Sequence, residues 1–191
     1  RAVQRAPEGE EESMRIGRAR QRARRAAHAY ARRLGVPPPL VQFTHAPRPG
    51  FSAATHEAKT RHVVTFSREA LVLPTWTIRA IAAHEVGHMK ERHTLRTWRL
   101  VLMVAVTLIA LAWVAPTPWW LSLPASLAAM PVALRVTMAS VHVNHEIEAD
   151  RWAVHLGTRI LRLRERFARH EPSWLHRAIH AYIIAEARKA S

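Results

Sequence analysis

Residues 100–134 read LVLMVAVTLIALAWVAPTPWWLSLPASLAAMPVAL and carry no charged side chain, although Arg99 and Arg135 bound them on either side. All 29 Lys and Arg of the chain lie outside this stretch, and the formal net charge is +15 with His neutral. A bilayer core takes about 20 apolar residues per helix. The 35 residues here are too many for one crossing and fit two short ones. Ala115-Pro116-Thr117-Pro118 divides the stretch, because proline continues a helix only at a cost. The expectation is a transmembrane helical hairpin over residues 98–141. Its first helix starts at Trp98 with Arg99 reaching out of the apolar layer, and its second passes Arg135 toward Val141. Trp98 at one end, with Trp113, Trp119 and Trp120 at the other, suits the two aromatic belts of a membrane. Lys90, Arg92, Arg96, Arg99 and Arg135 crowd the flanks while the turn has no base. The positive-inside rule then puts both flanks and both termini in the cytoplasm. The competing expectation is a buried core hairpin in a soluble protein, which apolar runs of about 10–14 residues usually form.

The remaining composition agrees with a chain made of two populations. A length of 191 residues and a mass of 21.7 kDa fit one ordinary domain and exclude two large ones. A hydrophobic content of 49% is too high for a disordered basic tail, and +15 is too basic for a plain globular domain. Cysteine is absent, which excludes disulfides, thiol nucleophiles and Cys-based metal sites. Any metal must be held by carboxylates and by some of the 13 His, and the sole aspartate is Asp150. No secretory signal peptide is visible at the N-terminus.

Outside the apolar stretch the pattern is mainly helical with a small β element. Residues 1–12 are polar, acidic at Glu10 to Glu12, and expected to be mobile. A helix is expected from Ser13 to Leu34, stopped by Gly35 before Val36-Pro37-Pro38-Pro39, with a weakly apolar face of Ile16, Ala19, Ala23, Ala26, Tyr30 and Leu34. Ten arginines fall between Arg1 and Arg33. They make residues 1–35 a basic amphipathic segment suited to anionic headgroups in preference to nucleic acid, or simply a solvated face. Residues 41–44 and 62–67 read as strands around a Pro- and Gly-containing loop at residues 47–51. Pro74 and Thr75 open a helix expected to reach Arg96. Further helices are expected over residues 142–156, ending at Gly157, over 158–169, and from Ser173 with Leu175, Ile179, Tyr182 and Ile183 on one face. The organisation expected is a catalytic part over residues 36–97, the hairpin over 98–141, and residues 142–191 completing the catalytic part.

Within the helix after Pro74 stands His84-Glu85-Val86-Gly87-His88. On an α-helix positions i and i+4 share a face, so both imidazoles can reach one metal ion with Glu85 beside it. With 13 His in 191 residues and a similar number of Glu, such a pentapeptide arises by chance roughly 0.06 times per chain, a false-positive risk the motif always carries. A catalytic zinc site needs a third protein ligand and an open position for water. Past the hairpin, Glu146 and Asp150 are again four apart. Glu146 is placed to bind the metal. Asp150, one turn on, is placed to accept the spare N–H of a ligand histidine. Taken alone, the pair reads better as an exposed acidic face or as partners of Arg151 and nearby bases, and only its coupling to the HEVGH segment shifts the balance to metal.

HEVGH followed by EIEADRWA resembles the membrane zinc metallopeptidases that include the heat-shock protease HtpX and the CAAX prenyl proteases. The resemblance covers about residues 41–179, with His62-Val63-Val64-Thr65-Phe66-Ser67 matching that family's layout upstream of the motif. It implies an α+β zincin-like fold with the two motif helices flanking a two-helix transmembrane hairpin. It further implies one Zn2+ per chain on His84, His88 and Glu146, with Glu85 as catalytic base. The family's C-terminal His-Pro motif and following Arg are similar to His170-Glu171-Pro172 and Arg177, although Glu171 interrupts the pair. The N-terminal transmembrane pair of HtpX has no counterpart in this sequence.

The activity expected is hydrolysis of peptide bonds in membrane or membrane-associated proteins at the cytoplasmic face, in the manner of protein quality control. Glu85 takes a proton from water and passes it to the leaving amine. A strand edge around Val63 to Phe66 holds extended substrate by main-chain pairing. Arg177, His142, His145 and His170 are candidates to stabilise the transition state, Arg177 first. Two other functions fit the same residues. One is a signalling protease that cuts a repressor or anti-regulator. The other is a non-enzymatic, membrane-anchored basic module that binds acidic lipid or nucleic acid.

Overall fold

Ala19, Ala23, Ala27 and Ala31 recur every fourth residue and so fall on one face of a helix. The computed structural model describes residues 8–44, 53–58, 61–114 and 117–189. In it α1 (Glu8–Leu34) buries this alanine face and Leu34, packing along α3 (Thr75–Glu91). Methyl side chains let the two backbones approach closely and leave the arginines outside. Ile16, Ala26 and Tyr30 are partly buried against the same core. The helix starts at Glu8, before the expected Ser13. It stops at Gly35, whose φ of 66° only glycine adopts cheaply.

Three strands follow: β1 (Leu40–Thr44), β2 (Ala53–Ala58) and β3 (Arg61–Ser67). Their order is β1-β3-β2, with β1 parallel and β2 antiparallel to β3. The strand carrying Val63, Val64 and Phe66 is thus central and buried, since only its β-branched and aromatic pattern fits two neighbours. This corrects the expectation of a free edge at Val63 to Phe66. The edge beside α3 is β2, which the sequence hid because Ala-Ala-Thr-His-Glu-Ala has Thr55 as its single strand-forming residue. The loop expected at residues 47–51 lies outside the described residues. A short helix α2 (Arg68–Val72), capped by Ser67 Oγ on Ala70 N, leads into α3.

The helix α3 ends at Glu91, short of the expected Arg96. Arg92 takes a left-handed φ of 51°, and a new helix, α4 (His93–Val114), begins immediately after it. Beyond the turn, part of which lies outside the described residues, α5 (Trp119–His155) is one continuous helix of 37 residues. The expected second crossing and the expected helix over residues 142–156 are therefore a single element. Only after His155 does the chain turn, at Gly157 with φ 75°. The last two helices are α6 (Ile160–His170) and α7 (Trp174–Arg188), the latter capped by Ser173. Its buried residues are Ile183, Ile184 and Ala187, whereas Leu175 and Tyr182 are exposed.

The chain divides into two compact units, Arg1–Glu91 with Ile147–Ser191, and Arg92–Glu146. The first holds the sheet and the hydrophobic core, formed by α1, β1, β3, α2, α3, the C-terminal end of α5 and the start of α6. The second is an antiparallel helix pair. Near the turn Ser122 Oγ donates to the Ala112 carbonyl at 2.8 Å, and at the far end the rings of His93 and His145 stack 3.9 Å apart. Both of its helices are long and apolar enough to cross a membrane, and almost none of their most apolar stretches is buried. Trp113 is 74% and Trp120 59% exposed, so among the described residues this pair is not buried in the hydrophobic core.

Candidate metal centre

The helix α3 is buried nearly all round, from Thr77 to Met89, because α1, β2, β3 and α6 all pack on it. The HEVGH segment lies inside that environment, and His84 and Glu85 are both buried. His84 Nδ1 lies 2.8 Å from Asp150 Oδ1 on α5. An ionised carboxylate only accepts hydrogen bonds, so Nδ1 carries the proton and Nε2 keeps its lone pair. That lone pair faces His88 Nε2 at 3.1 Å, with the two rings edge to face.

Glu146 stands one turn before Asp150 on α5. One ligand atom each from His84, His88 and Glu146 fall within 4.8 Å of one another. This donor set fits a metal ion. Two nitrogens at about 2.0–2.1 Å from a tetrahedral ion stand roughly 3.3 Å apart, near the spacing found here. Two neutral imidazoles plus one carboxylate is also a ligand set that zinc accepts.

Asp150 is 0% exposed and holds more than His84. Arg164 of α6, 1% exposed, meets the same carboxylate side-on: Nη2 donates to Oδ1 at 3.1 Å and Nε donates to Oδ2. Burial pushes the Asp150 carboxyl upward, but the hydrogen bond and charge of His84, with the Arg164 guanidinium, outweigh it and hold the group below its ordinary value. Sequence reasoning passed over Arg164, although a signal was present. Ile160, Leu163 and Phe167 form the apolar stripe of α6, and Arg164 sits within it.

Glu85 also has an unforeseen partner. Thr55 of β2 places Oγ1 2.7 Å from Glu85 Oε2 and 3.1 Å from the Glu85 carbonyl. Between the two histidines Gly87 lets α5 come close. A Cβ added there meets the Cα and O of Ala149 at 2.9 Å.

The other candidates stand elsewhere. Arg177 is exposed on α7 and its Nη1 donates to the carbonyls of Glu171 at 2.9 Å and Pro172 at 3.3 Å, closing the α6–α7 turn. Glu171 accepts from Ser173 N and lies 3.3 Å from His176 Nδ1. The Ser173 hydrogen bond first, then His176, lowers its carboxyl below the ordinary value. His142 and His170 are exposed, and His145 stacks on His93.

A helix that presents two histidines and a glutamate beside a small sheet, joined by a glutamate from a second helix, is an arrangement suited to a metallopeptidase. The chain belongs to peptidase family M48, whose sequence model matches residues 19–176. That match spans α1 through the start of α7, including both motif helices. Neither the curated proteins nor the solved structures contain a match to the chain.

Proposed function

We propose that this chain is a membrane-embedded zinc endopeptidase that cuts membrane or membrane-associated proteins at the cytoplasmic face. The observation that carries the reading is the cluster of His84, His88 and Glu146, with Glu85 adjacent on the same helix. A zinc ion bound there supplies Lewis acidity toward the scissile carbonyl and a water more easily deprotonated. The residues of the chain do the rest. His84 and His88 present Nε2 atoms, Glu146 a carboxylate oxygen, and Asp150 fixes the His84 tautomer. Glu85 takes the proton of the attacking water and hands it to the leaving nitrogen. The outer edge of β2, which pairs with no further strand among the described residues and adjoins α3, offers main-chain groups for an extended substrate. Arg177, outside the cluster in this structure, is kept as a candidate for the transition state only if substrate draws it inward. The apolar faces of α4 and α5 are covered by lipid.

Glu85→Gln, purified in detergent, tests the central step. The variant is expected to retain about one zinc per chain and to lose hydrolysis of an unfolded protein substrate, whereas His84→Ala loses both. Activity of Glu85→Gln equal to the parent removes the reading.

A further inference from the structure

Asp150 is shared between two partners, and only one of them is a proposed metal ligand. On its Oδ1 side it meets His84 Nδ1 at 2.8 Å and Arg164 Nη2 at 3.1 Å, and Oδ2 accepts from Arg164 Nε. The grip is side-on and bidentate, the arrangement in which a guanidinium fixes both the position and the plane of a carboxylate. All three side chains are shut off from solvent, with Arg164 at 1%, Asp150 at 0% and His84 at 2% exposure. Arg164 Nη1 in turn lies 3.5 Å from His180 Nδ1 on α7. A chain of contacts thus runs from α7 through α6 and α5 to the first histidine of the HEVGH segment.

The geometry points to Arg164 as a positioning residue of the metal centre, which pins the Asp150 carboxylate so that His84 presents Nε2 to the ion. This rests on the proposed zinc reading. Without the guanidinium, the carboxylate is free to rotate about its own bond and to be satisfied by another donor. His84 then loses the partner that fixes its ring plane and tautomer. An outer partner of this kind typically changes metal affinity by about 10–100-fold. An ion pair whose only role is to join α5 to α6 behaves differently, lowering the melting temperature without changing zinc affinity in the folded protein.

The test uses the full chain in detergent, stripped of metal and titrated with zinc against a chelating dye. Melting of the metal-free protein and the visible spectrum of the cobalt-substituted protein are recorded alongside. Arg164→Met is expected to weaken zinc binding about 10–100-fold and to alter the cobalt spectrum. Arg164→Lys keeps the charge but not the fork, and restores part of the affinity. If Arg164→Met does not fold, Arg164→Lys carries the test, with zinc binding expected several-fold weaker than the parent. Because Arg164 acts through Asp150, Arg164→Met added to Asp150→Asn costs no more than about twofold beyond Asp150→Asn alone. Parent-like zinc affinity in the folded Arg164 variants, or losses that multiply in the double variant, overturn the inference while the zinc reading stands. A parent chain that binds no zinc overturns both.

Discussion

Thr55 Oγ1 lies 2.7 Å from Glu85 Oε2, and its one proton is best spent on that carboxylate because charge-assisted bonds are the stronger. The bond aims Glu85 without contributing a metal ligand. Thr55→Val keeps the shape and removes the donor, so it is expected to lower kcat about tenfold with little change in zinc content, while Thr55→Ser stays near the parent. Steady-state kinetics and metal analysis on the same preparations decide it, and an unchanged kcat in Thr55→Val ends the idea. The contrast with Glu85 itself explains what sequence could disclose. His84 and His88, like Glu146 and Asp150, are i,i+4 pairs whose shared face follows from helix geometry alone. Thr55 and Arg164 reach the site from segments whose distance along the chain carries no geometric rule. Arg164 left one local trace, a charge in an apolar stripe, which reads as anomalous once the stripe is recognised.

Between the elements, α3 and α5 approach closely at Gly87, where any Cβ lands 2.9 Å from backbone atoms of Ala149. Backbone cannot swing aside as a flexible side chain does. Gly87→Ala is therefore expected to force α3 and α5 apart, to cost about 1–3 kcal/mol, and to weaken zinc binding. The melting temperature should fall by several degrees, at about 2–4 °C per kcal/mol for a chain of this size. Gly17, in the interior of α1, has nothing within 4 Å of an added Cβ, and Gly17→Ala is expected to raise stability by about 0.5–1 kcal/mol. Thermal melts of the two variants must move in opposite directions. Periodicity announced α1, α3, α6 and α7, but their ends depended on features that periodicity does not carry. Arg92 breaks α3 from α4 with a backbone conformation rare for arginine. The expected gap before residue 142 does not exist, because the sequence from Arg135 to His145 has no glycine or proline to stop a helix. β2 was invisible because β3 and α3, not its own residues, hold it as a strand.

At the scale of the molecule, α5 does two jobs with one rod. Its 37 residues extend about 55 Å, at 1.5 Å each, which exceeds a bilayer core of about 30 Å. On the proposed reading the apolar half from Trp119 lies in lipid, while Glu146 and Asp150 belong to the other half of the helix. The break in charge at residues 100–134 marks the apolar part of this helix in the sequence, since no other window of the chain lacks both Lys and Arg for so long. The same asymmetry predicts orientation. In the sequence, Arg96, Arg99 and Arg135 flank the apolar segments toward the HEVGH and EIEAD motifs, while Thr117 and Pro118 sit at a turn without a base. The parent has no cysteine, so one introduced thiol is unique. Thr117→Cys, expressed in intact cells, is expected to react with a membrane-impermeant maleimide added outside. Glu11→Cys, on the exposed face of α1, is expected to react only after the membrane is opened. The reverse pattern places the catalytic residues on the far side of the membrane. Labelling of both sites in intact cells means that the hairpin does not span, and then the exposed tryptophans of α4 and α5 must be covered by protein instead of lipid.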